Sequence, residues 1–463
     1  MATSKSTSVI NIVAIGTLDT KLDEFLYLRS QILEADPSIK VILIDVGRSG
    51  PSSTTTAAAK DAITITQSEV YQRALENTDG DDDSSSNRGG ESKSKDLASL
   101  PRSEVVNAMI RGATIIVKEL FLADGQQQGK GGGVHGIVAL GGSGGTSIAA
   151  GVMRALPLAL PKLIVSTVAS GDTASYVGES DIAMMYSVVD IAGLNDLLRA
   201  VVRNAAFAIA GMARGYYYHT QQQNQQESSS LDSHDRRKTK RKRAVGITMF
   251  GVTTPAADVA RRFLEARGLE VYVFHATGAG GRALERLVRE HRLDGILDLT
   301  TTELADELVG GVMSAGPDRL TAAARAGIPQ VVSVGALDMV NYGPRDTLPN
   351  IHVLRNIYVH NPSVTLVRTT PDECDELGQR LAARLKENCA DPAVVEVWLP
   401  LKGVSALAVE GQVFCDGDAD EALFRAIRKT LDGSGIVVKE VDADINDPSF
   451  AESLARRLFE LMN

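Results

Sequence analysis

Short apolar runs alternate with longer helical patterns along most of this chain, and this alternation restricts the possible folds more than any other feature of the sequence. The runs are rich in β-branched residues and almost continuously apolar, as is typical of parallel strands that are covered on both faces. We predict strands at residues 9–15, 41–45, 136–140, 163–167, 244–250, 270–275, 295–299, 331–334, 365–367 and 394–399. Such alternation indicates an α/β fold.

Helical patterns fill the spaces between these strands. Thr254-Pro255 and Thr370-Pro371 each place a hydroxyl at a helix N-cap and a proline at the first helical position, and Glu373 completes a capping box with Thr370. The predicted helices are 19–34, 104–122, 146–156, 195–212, 255–267, 282–291 and 371–388. We therefore predict two Rossmann-like doubly wound domains with mainly parallel sheets and a cleft between them.

Two polar segments set the predicted domain boundaries. Residues 77–100 are acidic and serine-rich with almost no apolar side chains, which predicts a disordered insertion. Residues 219–243 pass through a glutamine-rich stretch and end in a basic run at 236–243, which predicts a disordered linker between domains at 1–218 and 244–463. The basic run is either a solvated linker end or a nuclear localisation signal.

Composition limits the partners and the location of the protein. Its 463 residues include 48 basic and 58 acidic side chains, and the net charge of −10 gives no global attraction to nucleic acid or anionic lipid. The three cysteines lack metal-type spacing, and no signal peptide or membrane segment is predicted. We expect a cytoplasmic protein that binds neither membranes nor nucleic acid, with nuclear targeting through 236–243 as the alternative.

A glycine-rich loop follows the strand predicted at 136–140 and opens a helix. Glycines let backbone N–H groups approach an anion, and the helix N-terminus adds the positive end of its dipole. The loop consists of Gly141, Gly142, Ser143, Gly144, Gly145 and Thr146. We predict a phosphate or nucleotide site in this loop; the alternative is a turn that needs glycine only for close packing of helix against strand.

Two neighbouring strand ends carry further candidates for this site. Asp172 and Thr173 follow the strand at 163–167, and a carboxylate among hydroxyl groups suits a ribose, a phosphate or a hydrated Mg²⁺, with Asp172 as the metal ligand. The alternative is a turn that Asp172 caps. After the first strand, Thr17 and Lys21 are further candidates for binding the nucleotide, with Lys21 placed to reach a phosphate; the alternative is that Thr17 and Asp19 only cap the next helix.

The second half offers a group of candidate catalytic residues. His275, Glu303 and Asp338 each lie at or just after the end of a predicted strand, and the carboxyl ends of parallel strands lie at one edge of a sheet. These residues therefore predict an acid–base group that acts on a small phosphorylated or carbonyl metabolite. A structural role for His275 is the alternative, and Arg319 is a weaker candidate for a catalytic arginine, so whether the chain is an enzyme stays open.

Several of these motifs together resemble a known family. The chain is similar to the ATP-binding domain of the tomato mosaic virus resistance protein, which represents a large family of otherwise uncharacterised proteins. The motifs, in order, are Gly16-Thr17-Leu18-Asp19-Thr20-Lys21, Gly141-Gly142-Ser143-Gly144-Gly145-Thr146, Ser170-Gly171-Asp172-Thr173, Phe274-His275-Ala276-Thr277-Gly278, Gly316-Pro317-Asp318-Arg319-Leu320, Gly335-Ala336-Leu337-Asp338 and Ile445-Asn446-Asp447-Pro448. They extend over nearly the whole chain.

The resemblance implies ATP with Mg²⁺ at the glycine-rich loop, a homodimer, and nucleotide-dependent binding to a protein partner. In the plant relative, the domain binds a viral replication protein, and ATP promotes that binding. The insertion at 77–100 and the basic linker depart from the plant sequence, so antiviral activity is not carried over to this chain. We expect a fungal-type member of the family that acts as an ATP-dependent binding or regulatory protein.

Overall fold

The structure is a computed structural model that describes residues 9–50, 55–76, 97–122, 133–231 and 242–463, with backbone alone for 223–231. Most of the predicted insertion at 77–100 and of the basic run at 236–243 lies outside the described residues. The chain divides into two compact units, Met1–Thr239 and Lys240–Asn463, and each contains its own parallel sheet. Two α/β domains with mainly parallel sheets are therefore confirmed.

The first unit is built on five described strands that all run parallel. They are β1 (Ile10–Gly16), β2 (Ile39–Asp45), β3 (Gly136–Gly141), β4 (Lys162–Ser166) and β5 (Ala183–Tyr186), in the order β2-β1-β3-β4-β5. The helices are α1 (Leu18–Ala35), α2 (Ala57–Asp61), α3 (Gln67–Glu76), α4 (Arg102–Leu122), α5 (Ser143–Arg154), α6 (Ala174–Val177) and α7 (Asp196–Leu231). This strand order is that of the flavodoxin-like doubly wound fold.

Helices cover both faces of the first sheet, which explains why its central strands are mainly apolar. All seven residues of β1 are buried. Val13 and Ile15 pack on one face with side chains of α4 and α5, whereas Ile12 and Ala14 pack on the other with side chains of α1 and α7. Successive side chains of a strand point to opposite faces, so a strand buried on both sides needs an unbroken apolar run.

The second unit repeats this strand order and extends it by one strand. Its main sheet is parallel, with the order β14-β13-β9-β8-β6-β7. The strands are β6 (Ala244–Met249), β7 (Glu270–His275), β8 (Gly295–Thr300), β9 (Gln330–Gly335), β10 (Met339–Tyr342), β11 (Ile357–Asn361), β12 (Val364–Arg368), β13 (Val395–Pro400) and β14 (Val437–Val441). The helices are α8 (Thr254–Glu265), α9 (Ala279–Arg289), α10 (Glu303–Val309), α11 (Ala322–Ala326), α12 (Pro371–Asn388), α13 (Gly417–Leu431) and α14 (Pro448–Leu461).

Three of these strands form a separate antiparallel sheet in the order β10-β12-β11. This small sheet lies in the connection between β9 and β13 of the main sheet. The strand predicted at 365–367 is β12, so it belongs to the inserted sheet and not to the parallel one.

Of the two helix starts predicted from a threonine followed by a proline, one is confirmed and one is displaced by a residue. Thr370 accepts a hydrogen bond from the N–H of Glu373 at 3.2 Å, and the Glu373 carboxylate accepts one from the N–H of Thr370 at 2.8 Å, which confirms the capping box. Asp447 caps α14 through the N–H groups of Ser449 and Phe450. The N-cap predicted at Thr254 is wrong by one residue, because α8 begins at Thr254, whose hydroxyl donates to the carbonyl of Phe250.

The long helix α7 continues well beyond its predicted end. It runs for 36 residues to Leu231, whereas the sequence pattern predicted an end at 212. Residues 219–231 of the predicted linker are thus helical, in keeping with the helix propensity of their glutamines. Across the part of the chain that the structure describes, no helix is both long and apolar enough to cross a bilayer.

Candidate functional site

The carboxyl edge of the first sheet contains a topological switch point between β1 and β3. The chain leaves β1 toward β2 on one side and later returns to β3 on the other, so the loops after β1 and β3 lead in opposite directions. Ligands of doubly wound proteins bind at this position, outside the carboxyl ends of the strands. The pairings of Gly16 with Asp45 and of Gly141 with Ser166 align four strand ends at this edge.

The glycine-rich loop lies at this switch point and leads directly into α5. Gly142 is the N-cap residue of the helix in an extended conformation, and no side chain caps it. The first N–H groups of a helix have no partner within the helix, so those of Ser143, Gly144 and Gly145 are available to an anion. Ser143 is exposed, and Gly142, Gly144 and Gly145 are partly exposed. The structure thus places the predicted phosphate loop at an accessible, uncapped helix start.

Packing explains only part of the glycine content of this loop. A Cβ on Gly141 would lie 3.0 Å from the backbone of Gly145, so Gly141 permits close approach of the helix to the strand. At Gly142 the nearest atom to such a Cβ would be Thr167 Oγ1 at 3.6 Å, which is ordinary contact. The alternative of a glycine turn required for packing therefore accounts for Gly141 but not for Gly142.

The side chain of Thr146 is not accessible to a ligand, because it is packed inside the protein. Its side chain is fully buried, and its hydroxyl lies 2.6 Å from the hydroxyl of Ser166 at the end of β4. Its N–H donates to the carbonyl of Gly142 at 2.8 Å. Thr146, predicted as a phosphate contact, therefore fixes the loop to the neighbouring strand, and we leave its side chain out of the proposed site.

An arginine that the sequence reasoning missed lies beside the loop. A Cβ on Gly144 would be 3.0 Å from Nη2 of Arg102, the exposed first residue of α4. Arg48 donates from its guanidinium to the carbonyls of Ala98 and Leu100, and the second of these bonds is 2.9 Å long. Arg48 thereby holds the segment that leads to Arg102. The guanidinium of Arg102 places a positive charge beside the glycine-rich loop.

The loop after β4 lies on the other side of Gly142. Asp172 is exposed, and its Oδ1 accepts a hydrogen bond from the N–H of Ala174 at 2.9 Å, which stabilises the turn that leads into the short helix α6. Thr173 precedes α6 and makes no capping bond with its side chain. Among the described residues, no group of three or more His, Cys, Asp or Glu side chains could hold a metal ion. Any cation at Asp172 would depend on oxygen ligands from a phosphate.

In the loop after β1, the side chain of Lys21 makes a hydrogen bond within the protein that we did not predict. Thr17 is the N-cap residue of α1 but makes no capping bond with its side chain, so that part of the prediction is wrong. Lys21 interrupts the helical backbone of α1, and its Nζ donates to the carbonyl of Ile191 at 2.6 Å. The amine of Lys21 is thus engaged by the loop after β5.

A pair of carboxylates beside this loop is a further feature that sequence reasoning missed. Asp19 Oδ2 accepts from the N–H of Arg48 at 3.0 Å, and Asp45 Oδ1 accepts from the N–H groups of Leu18 and Gly47 at 3.1 and 2.8 Å. Burial raises the pKa of Asp45 to about 6, with a smaller contribution from the charge of Asp19. Asp45 could have been identified from the sequence, because it is an acidic residue at the end of the strand predicted at 41–45.

The candidate residues of the second unit do not form one acid–base group. His275 is exposed at the end of the outermost strand β7, whereas Asp338 follows β9, and β6 and β8 lie between these two strands. Three strand spacings correspond to roughly 14 Å. Asp338 is fully buried, accepts a hydrogen bond from Ser405 at 2.7 Å, and has its pKa raised by burial.

Glu303 is committed to a buried ionic cluster. One of its oxygens accepts from Nε of Arg319 at 2.7 Å, and the other accepts from the N–H groups of Gly278 and Gly281 at the start of α9. Arg319 is itself fully buried, and it also contacts Asp298 at 2.6 Å and Glu285 at 3.3 Å. A charged hydrogen-bonded cluster of this kind fixes three elements together, so we leave Glu303 and Arg319 out of the proposed chemistry.

Comparison with known proteins identifies relatives for both halves. Residues 10–218 match the N-terminal domain of Uncharacterised protein family (UPF0261), and residues 242–462 match its C-terminal domain. A UPF0261 protein of Clostridium tetani is 42% identical over 97% of this chain and 98% of its own length. A UPF0261 protein of Rhizobium meliloti is 38% identical over 98% of this chain and 99% of its own length.

A plant protein matches over the whole of this chain. The ToMV resistance protein Tm-1(GCR237) of Solanum lycopersicum is 38% identical over 100% of this chain, but the match spans only 57% of the tomato protein. Among solved structures, the glycotransferase of kitacinnamycin is 9% identical with a TM-score of 0.17, a likeness too small to carry an argument. On the matches to both domains and the relatives of similar length, the chain belongs to Uncharacterised protein family UPF0261.

Proposed function

We propose that the first unit binds a nucleotide through its phosphates at the N-terminus of α5. The observation that carries this proposal is the uncapped first turn of α5 at the switch point of the sheet. Three backbone N–H groups converge there without a protein acceptor from a capping side chain, and the helix dipole favours negative charge. An anionic ligand would satisfy groups that the described protein leaves to solvent.

Arg102 strengthens the case for phosphate over a neutral ligand. Its guanidinium lies beside Gly144, where a phosphate oxygen would accept hydrogen bonds from the loop. Guanidinium groups bind phosphate through two parallel hydrogen bonds, which add direction as well as charge. Arg48 anchors the backbone that precedes Arg102 through the carbonyl of Leu100, and this contact holds the segment that leads into α4.

ATP with Mg²⁺ is the ligand that we propose, on the strength of the resemblance of the chain to an ATP-binding family. Thr167 beside Gly142 and the hydroxyl of Thr173 supply polar groups on one side of the loop, and Asp172 Oδ2 is the atom that we assign to a hydrated Mg²⁺. Magnesium prefers one or two carboxylates together with water and phosphate oxygens. Thr17 and Lys21 lie on the other side of the loop, where Lys21 contributes positive charge.

We propose that the bound nucleotide controls association with a protein partner and that the chain acts as a homodimer. The support is the tomato relative, whose name connects it with resistance to a virus, together with the absence of an assembled acid–base group among the described candidates of the second unit. Light scattering of the purified chain tests the dimer, and capture of partners with and without ATP tests the control. Recovery of the same partners in both conditions would count against control by nucleotide.

The binding proposal is tested by thermal unfolding with ATP, ADP and NAD, each with and without Mg²⁺. A ligand at about 100 times its dissociation constant stabilises the native state by about 2.7 kcal/mol. We expect a Mg²⁺-dependent rise in Tm with ATP. If none of the nucleotides changes Tm, the loop has only its structural role.

Replacement of Gly144 by Asp should abolish this stabilisation in a folded protein. The new carboxylate would lie against Arg102 and repel phosphate from the helix start. The matched control is Gly251→Asp, which adds the same charge after β6 at an exposed position with nothing within 4 Å of the new Cβ. Gly251 lies at the corresponding switch point of the second unit, so loss of binding in that variant alone would move the site to the second unit.

A further inference from the structure

A small cavity opens beside the carboxyl end of β2. Its volume is about 220 Å³, and it is lined by Asp45, Gly50, Ile63, Thr66, Gln67 and Ser68. Asp45 is the charged residue of this lining and is 1% exposed. The cavity lies at the same edge of the sheet as the glycine-rich loop, separated from it by the single strand β1.

One oxygen of Asp45 has no partner. Oδ1 accepts hydrogen bonds from the N–H groups of Leu18 and Gly47, but Oδ2 is buried and makes no hydrogen bond in the structure. A buried carboxylate oxygen that lacks a donor is costly, and such an atom in a native protein calls for an explanation. Because Asp45 lines the cavity, a ligand in the cavity can supply the missing donor.

We propose that Asp45 recognises the sugar of the bound nucleotide by accepting a hydrogen bond from a ribose hydroxyl at Oδ2. The proposal rests on nucleotide binding at the glycine-rich loop and adds the subsite for the sugar. Two strand spacings separate the ends of β2 and β3, on the order of 10 Å. The sugar of a nucleotide is displaced from its terminal phosphates by a comparable length.

A hydroxyl group fits this position better than a cation does. The two N–H groups on Oδ1 leave a single acceptor on Asp45, and a single O–H donor satisfies it. The Mg²⁺ proposed above is assigned to Asp172 after β4, where phosphate oxygens and water complete its ligands, and Asp45 follows β2, three strand spacings from β4. The raised pKa of Asp45 also shows that no positive group compensates its charge, and a hydroxyl donor would lower that pKa on binding.

The experiment compares wild-type chain with Asp45→Asn by titration calorimetry in the presence of Mg²⁺. The ligands are ATP, 2′-deoxy-ATP, 3′-deoxy-ATP, inorganic tripolyphosphate and adenosine. Asparagine keeps the acceptor for Leu18 and Gly47 but turns the free acceptor into a donor, so the fold is retained. The control is Asp190→Asn, which removes the same charge from an exposed side chain of the same unit.

We expect wild-type protein to bind ATP at least about 10-fold more tightly than one of the two deoxy analogues, since a hydrogen bond to a charged group has this effect. Asp45→Asn should lose that discrimination and bind tripolyphosphate no more weakly than wild type does, whereas Asp190→Asn should keep the discrimination of wild type. Equal binding of ATP and both analogues by wild type would overturn the sugar subsite and leave nucleotide binding intact. Loss of the Mg²⁺ dependence in Asp45→Asn, with discrimination retained, would assign Asp45 to the cation and also overturn it.

Two further outcomes separate this proposal from the one on which it rests. Binding of adenosine that depends on Asp45, without binding of ATP or tripolyphosphate, would support the sugar subsite and contradict the phosphate site. If neither adenosine nor any phosphate ligand binds, both proposals are wrong.

Discussion

The carboxylate of Asp45 bears an energetic cost that can be measured without any ligand. The group is almost fully buried, and burial raises its pKa from 3.8 to about 6. A carboxyl group with a raised pKa in the folded state binds protons more tightly there than in the unfolded chain. Its ionisation therefore destabilises the fold as the pH rises, with no cost below about pH 4 and the full cost above about pH 7.

Replacement of Asp45 by Asn should stabilise the ligand-free protein at pH 8 by on the order of 1–2 kcal/mol, because the buried charge is removed while the contacts of Oδ1 are kept. The gain should shrink between pH 6 and pH 4 and be absent at pH 4. Urea unfolding at these three pH values measures it. A gain of the same size at pH 4 and pH 8 would show that the effect does not come from ionisation of Asp45.

Single residues were predicted least well where their role depends on distant contacts. The sequence placed Glu303 after a strand, at the edge where ligands bind, but its partners are Arg319 and the N–H groups of Gly278 and Gly281. These partners come together only when α9 and the segment before α11 have packed, and no local pattern encodes that. The glycine-rich loop was predicted because strand, glycines and helix start are adjacent in sequence.

The central strands of both parallel sheets were all predicted, whereas two of the four edge strands were missed. The central strands β1, β3 and β8 are buried along their whole length, and each gives a mainly apolar run, which Asn11 interrupts in β1 and Asp298 in β8. The edge strands β5 and β14 are partly exposed, and neither was predicted. The edge strands β2 and β7 were predicted from their apolar, β-branched runs, so edge position alone does not explain the misses. β5 has only 4 residues, and Lys439 and Glu440 interrupt the apolar run of β14.

The start of α9 offers a sharp test of how the ionic cluster fixes this helix. A Cβ on Gly281 would overlap the buried carboxylate of Glu303, which Arg319 holds in place. We expect Gly281→Ala to destabilise the second unit by roughly 2–4 kcal/mol, because the cluster must separate or the helix must shift. The control Gly251→Ala meets no atom within 4 Å. Equal Tm values for the two variants would show that Glu303 can move away from the new Cβ at little cost in stability.

Because the chain divides into two units, we predict that a ligand of the first unit raises the Tm of that unit more than the Tm of the second. The chain has one tryptophan, Trp398, which is buried in the second unit, so its fluorescence reports on that unit. A ligand stabilises the cooperative unit that binds it. ATP should therefore raise the Tm measured by circular dichroism more than the Tm measured by Trp398 fluorescence. A larger shift of the tryptophan signal would place the nucleotide in the second unit.

Both sheets share one strand order, although their switch points differ. In the first unit the loop at the switch point is accessible, with Ser143 exposed and Gly142 partly exposed, whereas in the second the hydroxyls of Thr253 and Thr300 lie 2.7 Å apart and both side chains are fully buried. The strand order is common to both units, but the loops at its carboxyl edge are not, so a ligand site in one unit implies none in the other.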